Sequence, residues 1–248
     1  MSGLSSDTLA QLDAHWNRTH WVGRDQAADQ PVTAERLWSL LEHPGMHWPY
    51  LTLVRASVQP ALKDFSTEVP AHRQRRLDPA RIRKLVDEGH TLKFQRLEDF
   101  DDDVRHRVAA FQNELAMVTT AYAFVTPAES TGLSFHRDAS HVVAWQLEGT
   151  KKWTVVRPEP GVNPDAGLEP EPRGEHFEFT LSPGDVLYLP HGWPHRATTG
   201  EGGSTHLTFT LARPTPSALA AELLARAGTP ELSPARNTAN AAVERLGL

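Results

Sequence analysis

The stretch HVVAWQLEGTKKWTVVRP, residues 141–158, decides the fold. It reads as two runs of β-branched and aromatic residues joined at Gly149-Thr150, the signature of a hairpin turn between strands. Side chains alternate along a strand, so Lys151 and Trp153 share one face of the second run and Lys152 takes the other. Moving outward, TTAYAFVTP (119–127), HFEFTLSPGD (176–185), VLYLP (186–190) and THLTFTLARP (205–214) have the same character. Gly, Pro, Asn and Asp turns separate them. Many short strands without intervening helices predict a mainly β fold, an antiparallel sandwich or barrel.

The flanks read differently. Thr33 precedes Glu35, Leu37, Trp38, Leu40 and Leu41 as the cap of an amphipathic helix, and LDPARIRKLVDEG (77–89) sets Asp78 as N-cap, Pro79 in the first turn and Gly89 as terminator. A third helix begins at the acidic cluster Asp99, Asp101, Asp102 and Asp103 and carries Val104, Val108, Phe111 and Leu115 on one face. The cluster complements a helix N-terminus and so has a structural role. We therefore divide the chain into a mostly helical region over 1–118, a β core over 119–213 and a short helical tail over 214–248. The tail carries PSALAAELLARAG and SPARNTANAAVERLGL. The Pro- and Glu-rich segment at 157–176 reads as a lid or a disordered loop.

Composition narrows the function. A chain of 248 residues with 39% hydrophobic residues can bury one large core. The net charge is -6 and the basic residues are scattered, which argues against nucleic acid as a partner. There is no cysteine, so disulfides, thiolate zinc sites and cysteine nucleophiles are excluded together. No run approaches the roughly 20 apolar residues of a membrane span, and a soluble, cytoplasmic protein is expected.

Thirteen histidines leave imidazole and carboxylate as the available metal ligands. In GLSFHRDAS (132–140), His136 and Asp138 are two apart and point to the same face of a strand, either as ligands or as a hydrogen-bonded pair at a strand end. In GDVLYLPHGWPH (184–195), a Pro-x-Gly turn fixes the backbone just before His195. Two imidazoles and one carboxylate form the facial triad of non-heme Fe(II) oxygenases, with the opposite face of the ion left open. His191 occupies the variable place of that turn and is the weaker candidate. His141 and His206 approach the same region as ligand-binding or core histidines, and Tyr122 and Trp145 lie on flanking strands, Trp145 as core packing. His15, His20, His43 and His47, near Trp16, Trp21 and Trp48, read as packing or surface residues. From spacing alone Lys151 is either a solvated turn residue or an inward cation awaiting an anion.

The HRD of 136–138 followed by GDVLYLPHGWPH resembles the cupin superfamily. AFVTPAESTGLSFHRDASHVVAWQLEGTKKW is similar, more narrowly, to the JmjC-type Fe(II)/2-oxoglutarate oxygenases, ribosomal-oxygenase branch. The likeness runs from about Thr91 to Arg213, with YLTLVR (50–55) a weaker extension. It implies a double-stranded β-helix (jelly roll) with an N-terminal helical region, Fe(II) held by His136, Asp138 and His195, and the distal carboxylate of 2-oxoglutarate paired to Lys151. Tyr122 and His206 would line the cosubstrate pocket. The implied reaction hydroxylates a C–H bond with O2 and releases succinate and CO2. Ribosomal oxygenases carry a helical dimerisation segment and a winged-helix domain after the barrel, and the 35 residues following Arg213 do not accommodate the latter. A ribosomal protein is accordingly no more favoured than the alternatives, and the expected substrate is an amino-acid side chain in a peptide or protein, a free amino acid or a small metabolite, with a homodimer left open. Glu169, Glu171 and Glu175 near the mouth suggest a cationic one. The alternatives are a cupin metalloenzyme that does not use 2-oxoglutarate, an isomerase or dioxygenase, and a non-catalytic cupin binding module.

Overall fold

The computed structural model describes residues 6–26, 32–69, 74–161 and 165–216. Both tail helices expected after Arg213 lie, but for Pro216, outside the described residues. The chain divides into one unit over Met1–Leu211 and another over Ala212–Leu248.

The helices form where their caps predict. Thr33 accepts from the Arg36 N–H ahead of α2 (Ala34–Ser39), and Asp78 accepts from the Ala80 and Arg81 N–H groups ahead of α3 (Pro79–Asp87). Asp101 accepts from the Asp103 and Val104 N–H groups ahead of α4 (Asp102–Leu115), so Asp101 is the cap and Asp102 and Asp103 the first turn, while Asp99 pairs with Arg96. With α1 (Ser6–His15), these are the α-helices among the described residues. None of the described helices is long and apolar enough to cross a membrane.

The β-structure is mostly antiparallel and lies in two main sheets. The large one runs β1 (Trp21–Gly23), β12 (Val186–Leu189), β8 (His141–Gly149), β14 (Ser204–Ala212), β6 (Val118–Thr126), β5 (Thr91–Gln95) and β2 (Leu51–Val54). The small one runs β10 (Gly167–Leu168), β7 (His136–Arg137), β13 (His195–Thr198), β9 (Lys151–Pro158) and β11 (Gly174–Leu181). A separate hairpin joins β3 (Ser66–Val69) to β4 (Gln74–Leu77). The chain passes from one sheet to the other between β8 and β9, between β11 and β12, and between β12 and β13, which makes the two sheets the walls of a double-stranded β-helix.

The passage from β8 to β9 corrects the hairpin reading. β8 pairs with β12 on one edge and β14 on the other, whereas β9 pairs with β11 and β13, so the two strands never bond to each other. Gly149 makes the crossing. Its φ is +63°, and a Cβ there would sit 1.9 Å from the Gly203 carbonyl oxygen. The region before 118 is likewise more than helical: β1 and the pair β5, β2 extend the large sheet at its two edges. β1 and β2 have three and four residues between caps and turns, too few for alternation to show.

The unbroken apolar run of β8 follows from burial on both faces. Val143, Trp145 and Leu147 pack with Ile82, Val104 and Phe111 of the helices and with Phe94 and Phe209. Val142 and Ala144, on the other face, meet Trp153, Val155, Leu181 and Trp193 between the sheets. Arg107 of α4 lies 4.8 Å over the Trp145 ring, which confirms that tryptophan as core. Asp185, the acid of the Gly184-Asp185 turn, accepts from Ser182 and Asp25 N–H groups and pairs with Arg24, tying β1 to the start of β12.

Candidate metal centre

Backbone pairing delivers the three predicted ligands to one place. His195 opens β13 directly opposite His136 of β7, and Asp138 follows β7 by one residue, its carbonyl accepting from the Gly192 N–H at 3.1 Å. Gly192 has φ +74°, so the Pro-x-Gly turn does set the backbone before His195. Nε2 of His136 is 4.0 Å from Asp138 Oδ1, Nε2 of His195 is 3.7 Å from Asp138 Oδ2, and one ligand atom from each residue lies within 4.8 Å of the others. Among the described residues this is the one such cluster of His, Cys, Asp or Glu.

The second nitrogen of each ring is spoken for. Nδ1 of His136 lies 2.9 Å from the Ser134 carbonyl and Nδ1 of His195 lies 3.0 Å from the Trp193 carbonyl. Each Nδ1–H therefore donates to a carbonyl, which leaves the Nε2 lone pairs turned to the shared point. Burial, aided by the neighbouring His136, pushes the pKa of His195 down to about 4, with the Asp138 charge acting the other way. At neutral pH it is the neutral imidazole that a cation requires. A donor set of two imidazoles and one carboxylate, N and O without sulfur, suits Fe(II) and other first-row divalent ions.

These groups line one cavity of about 270 Å³ together with Lys151, Trp153, Tyr122 and His206. That is near the lower end of small-molecule pockets, roughly 300 Å³, and matches a compact cosubstrate. Lys151 is 3% exposed while Lys152 is exposed and paired with Glu178 at 2.9 Å, the split that alternation predicts. The Lys151 Nζ donates to Thr126 Oγ1 at 2.8 Å and meets His206 Nδ1 at 3.3 Å, and burial pulls its pKa down to about 7. The desolvated ammonium has neutral partners at hydrogen-bond distance and room for an anion beside it. The Trp153 Nε1–H is buried with no acceptor in the protein. A dicarboxylate anchored on Lys151 and reaching toward the three ligands fits both observations.

His206 stacks on Phe124 at 4.7 Å, and burial together with the Lys151 charge holds its pKa well below the usual imidazole value. Toward the Lys151 ammonium, which can only donate, its Nδ1 is the acceptor. Tyr122 lines the cavity with its pKa raised by burial and the Asp138 charge. His141 does not reach the cavity: its Nδ1 lies 3.0 Å from the Tyr188 hydroxyl and its ring stacks on Trp16 at 4.0 Å. The His191 ring packs 6.2 Å from that of His141. His15 lies 6.3 Å from Trp21, His20 lies among Phe177, Phe179 and Trp193, His43 against Phe100 and His47 against Tyr50, all packing roles. Of the acidic residues expected near the mouth, Glu169 pairs with Arg137 and Glu175 with Arg157, each at 2.9 Å. The expected pull on a cationic substrate therefore loses two of its three carboxylates.

Thr91 and Lys93 of the lining, and Thr126, which bonds to Lys151, were not singled out from sequence. Thr126 receives Lys151, Thr91 donates to Thr126 at 3.2 Å, and Lys93 sits over the rings of Tyr122 and Phe124. The alternation of TLKFQ (91–95) held the signal, since Leu92 and Phe94 face the helices and leave 91 and 93 to the opposite side.

The family described as JmjC domain matches residues 95–219, about half of the chain. Ribosomal oxygenase 2 of Bos taurus is 34% identical over 123 residues, which are 48% of this chain and 27% of that protein. Ribosomal oxygenase 1 of Homo sapiens is 30% identical over 138 residues, 53% of this chain and 22% of that one. The chain thus spans about a quarter of the length of the curated relatives it matches. The structure of Escherichia coli YcfD superposes with a TM-score of 0.59 at 16% identity over 90% of this chain and 58% of that chain. YcfD in complex with cobalt and 2-oxoglutarate gives a TM-score of 0.55 at 18% identity over 92% and 58%. At such identities the likeness shows the fold. With the family match covering the strands that carry the site, this chain belongs to the JmjC domain family.

Proposed function

We propose that the chain is an Fe(II)- and 2-oxoglutarate-dependent oxygenase that hydroxylates a C–H bond of an amino-acid side chain in a peptide or protein. The observation that carries this is the buried, anion-seeking Lys151 in the same small cavity as His136, Asp138 and His195. The relatives' names, ribosomal oxygenase and histidyl-hydroxylase, support a protein side chain as the target, and the YcfD complexes with cobalt and 2-oxoglutarate or succinic acid support the cofactor set. Fe(II) bound by the triad, with 2-oxoglutarate and O2, supplies the oxidant for C–H hydroxylation while the cosubstrate leaves as succinate and CO2.

The chain's own residues hold and shield. His136 and His195 present Nε2, their tautomers set by the Ser134 and Trp193 carbonyls, and Asp138 supplies the one negative charge. Lys151 pairs with the 5-carboxylate, a charge-assisted contact strengthened by its dry surroundings. Thr126 and His206 keep the ammonium aimed, and Trp153, Phe124 and Tyr122 exclude water from the reacting end. A cupin enzyme that does not use 2-oxoglutarate would leave Lys151 buried without purpose.

The test is O2-dependent succinate formation from 2-oxoglutarate by the Fe(II)-loaded protein, stimulated by candidate peptides. Substrate turnover that proceeds without 2-oxoglutarate would overturn the proposal, and stimulation by free amino acids or metabolites but by no peptide would move the substrate class.

A further inference from the structure

We propose that Lys93 is a second anion station in the metal cavity, holding a carboxylate of the prime substrate. The proposal rests on the oxygenase reading above and adds a substrate class to it.

Lys93 lies on β5 opposite Phe124 of β6, and its Nζ sits 4.9 Å from the centre of the Tyr122 ring and 5.7 Å from that of Phe124. The two rings fix the ammonium in place and stabilise its charge. It lines the cavity with the metal ligands. Burial lowers its pKa and the Asp138 charge works against that lowering, so Lys93 and a metal ligand feel each other across the same space. Among the described residues, no carboxylate lies within ion-pair distance of Lys93, whereas Lys152, Arg137 and Arg157 are each paired at 2.9 Å.

Position separates this group from the cosubstrate anchor. Lys151 binds Thr126, and Thr126 binds Thr91. Lys93 is two residues further along β5 from Thr91, a step of about 7 Å on a strand. A five-carbon diacid anchored on Lys151 and directed at the triad uses one carboxylate at each of those ends. Charge gives the same answer. A divalent ion and Lys151 are balanced by Asp138 and the two carboxylates of 2-oxoglutarate, and the Lys93 charge is left over. In a partly dry cavity such a charge favours an anionic visitor. Glu169 and Glu175 offer no competing signal, because each is already paired with an arginine.

The experiment uses the full chain loaded with Mn(II) and 2-oxoglutarate without O2, titrated at constant ionic strength and followed by calorimetry and thermal unfolding. The probes are N-acetylglycine, its amide, and N-acetylaspartic acid α-amide. The wild type is expected to bind either acid at least about tenfold more tightly than the amide, the scale of one charge-assisted contact. Lys93→Met abolishes that preference, and Lys93→Arg, which keeps the cation, restores it. Tighter binding of N-acetylglycine identifies a terminal carboxylate as the source, and tighter binding of the aspartyl probe an acidic side chain. Equal binding of acids and amide by the wild type, no binding of any probe, or an acid preference that survives Lys93→Met would overturn the proposal. So would a loss of 2-oxoglutarate affinity in Lys93→Met as large as in Lys151→Met, which would make Lys93 a second cosubstrate anchor. Failure of the oxygenase reading shows separately, as 2-oxoglutarate affinity indifferent to Lys151→Met.

Discussion

Replacing Lys151 with methionine is expected to make the ligand-free protein more stable and to make it deaf to 2-oxoglutarate. Burial lowers the Lys151 pKa from 10.5 to about 7. That gap, at 1.36 kcal/mol per pH unit, amounts to about 5 kcal/mol of penalty for keeping an ammonium there. Methionine retains the length and apolar bulk without the charge. Against this gain stand the lost contacts to Thr126 and His206, about 1 kcal/mol each. A net gain of about 3 kcal/mol near neutral pH corresponds to a rise in Tm of about 6–12 °C for a domain of this size. The folded-state pKa lies below the unfolded one, so the wild-type penalty is full below pH 7 and fades as pH rises toward 10.5. The variant's advantage should therefore shrink as pH rises, vanish near about pH 9 and reverse beyond it, where only the lost contacts to Thr126 and His206 remain. With Mn(II) present, 2-oxoglutarate at a hundred times its Kd adds about 2.7 kcal/mol to the wild type and nothing to the variant. Thermal unfolding followed by circular dichroism, with and without 2-oxoglutarate across pH 6–10, reads all three effects. A variant that is less stable than wild type at pH 7 in the absence of ligand, or whose Tm rises with 2-oxoglutarate as the wild type's does, would refute the reasoning.

The same lysine predicts that the wild-type Kd for 2-oxoglutarate weakens by up to about tenfold per pH unit above 7, because binding then requires a proton to be taken up; isothermal titration in buffers of different ionisation enthalpy measures it. Asp138→Asn should weaken Co(II) binding by more than the roughly 10–100-fold typical of losing a supporting contact to a ligand, read from visible absorption, with Tm changed little by comparison. Gly149→Ala places a methyl 1.9 Å from the Gly203 oxygen on a backbone at φ +63°, and a loss of at least about 2 kcal/mol is expected in denaturant unfolding. Asp101→Ala removes the α4 cap and should cost about 1 kcal/mol while leaving Co(II) affinity unchanged.

What could be read in the sequence was what is local. The three caps Thr33, Asp78 and Asp101 act within three residues of themselves, and the strands at 118–126, 141–149 and 151–158 announce their β-character over eight or nine residues. Alternation told Lys151 from Lys152, and the spacing of His136 and Asp138, the turn before His195 and the resemblance together named the candidate ligands. What escaped depends on partners distant in the chain. Nothing within Gly149-Thr150 says that both edges of β8 are taken by β12 and β14, so a crossing looked like a hairpin. Lys93 looks solvated until β6 places Tyr122 and Phe124 beneath it. Glu169 and Glu175 look like free charges until Arg137 and Arg157 are found against them.

The crossing at Gly149 has a corollary for substitutions. His136, Asp138, His195 and Lys151 all belong to the small leaf of the roll or adjoin it, whereas Thr91, Lys93, Tyr122, Phe124 and His206 face them from the large leaf. On the oxygenase reading, one leaf would hold the metal and the cosubstrate, and the other would steady that hold through Thr126, Thr91 and His206. Substitution at Lys93 should then change what else is admitted, whereas substitution at Thr91 or Thr126, on β5 and β6, should loosen the hold itself.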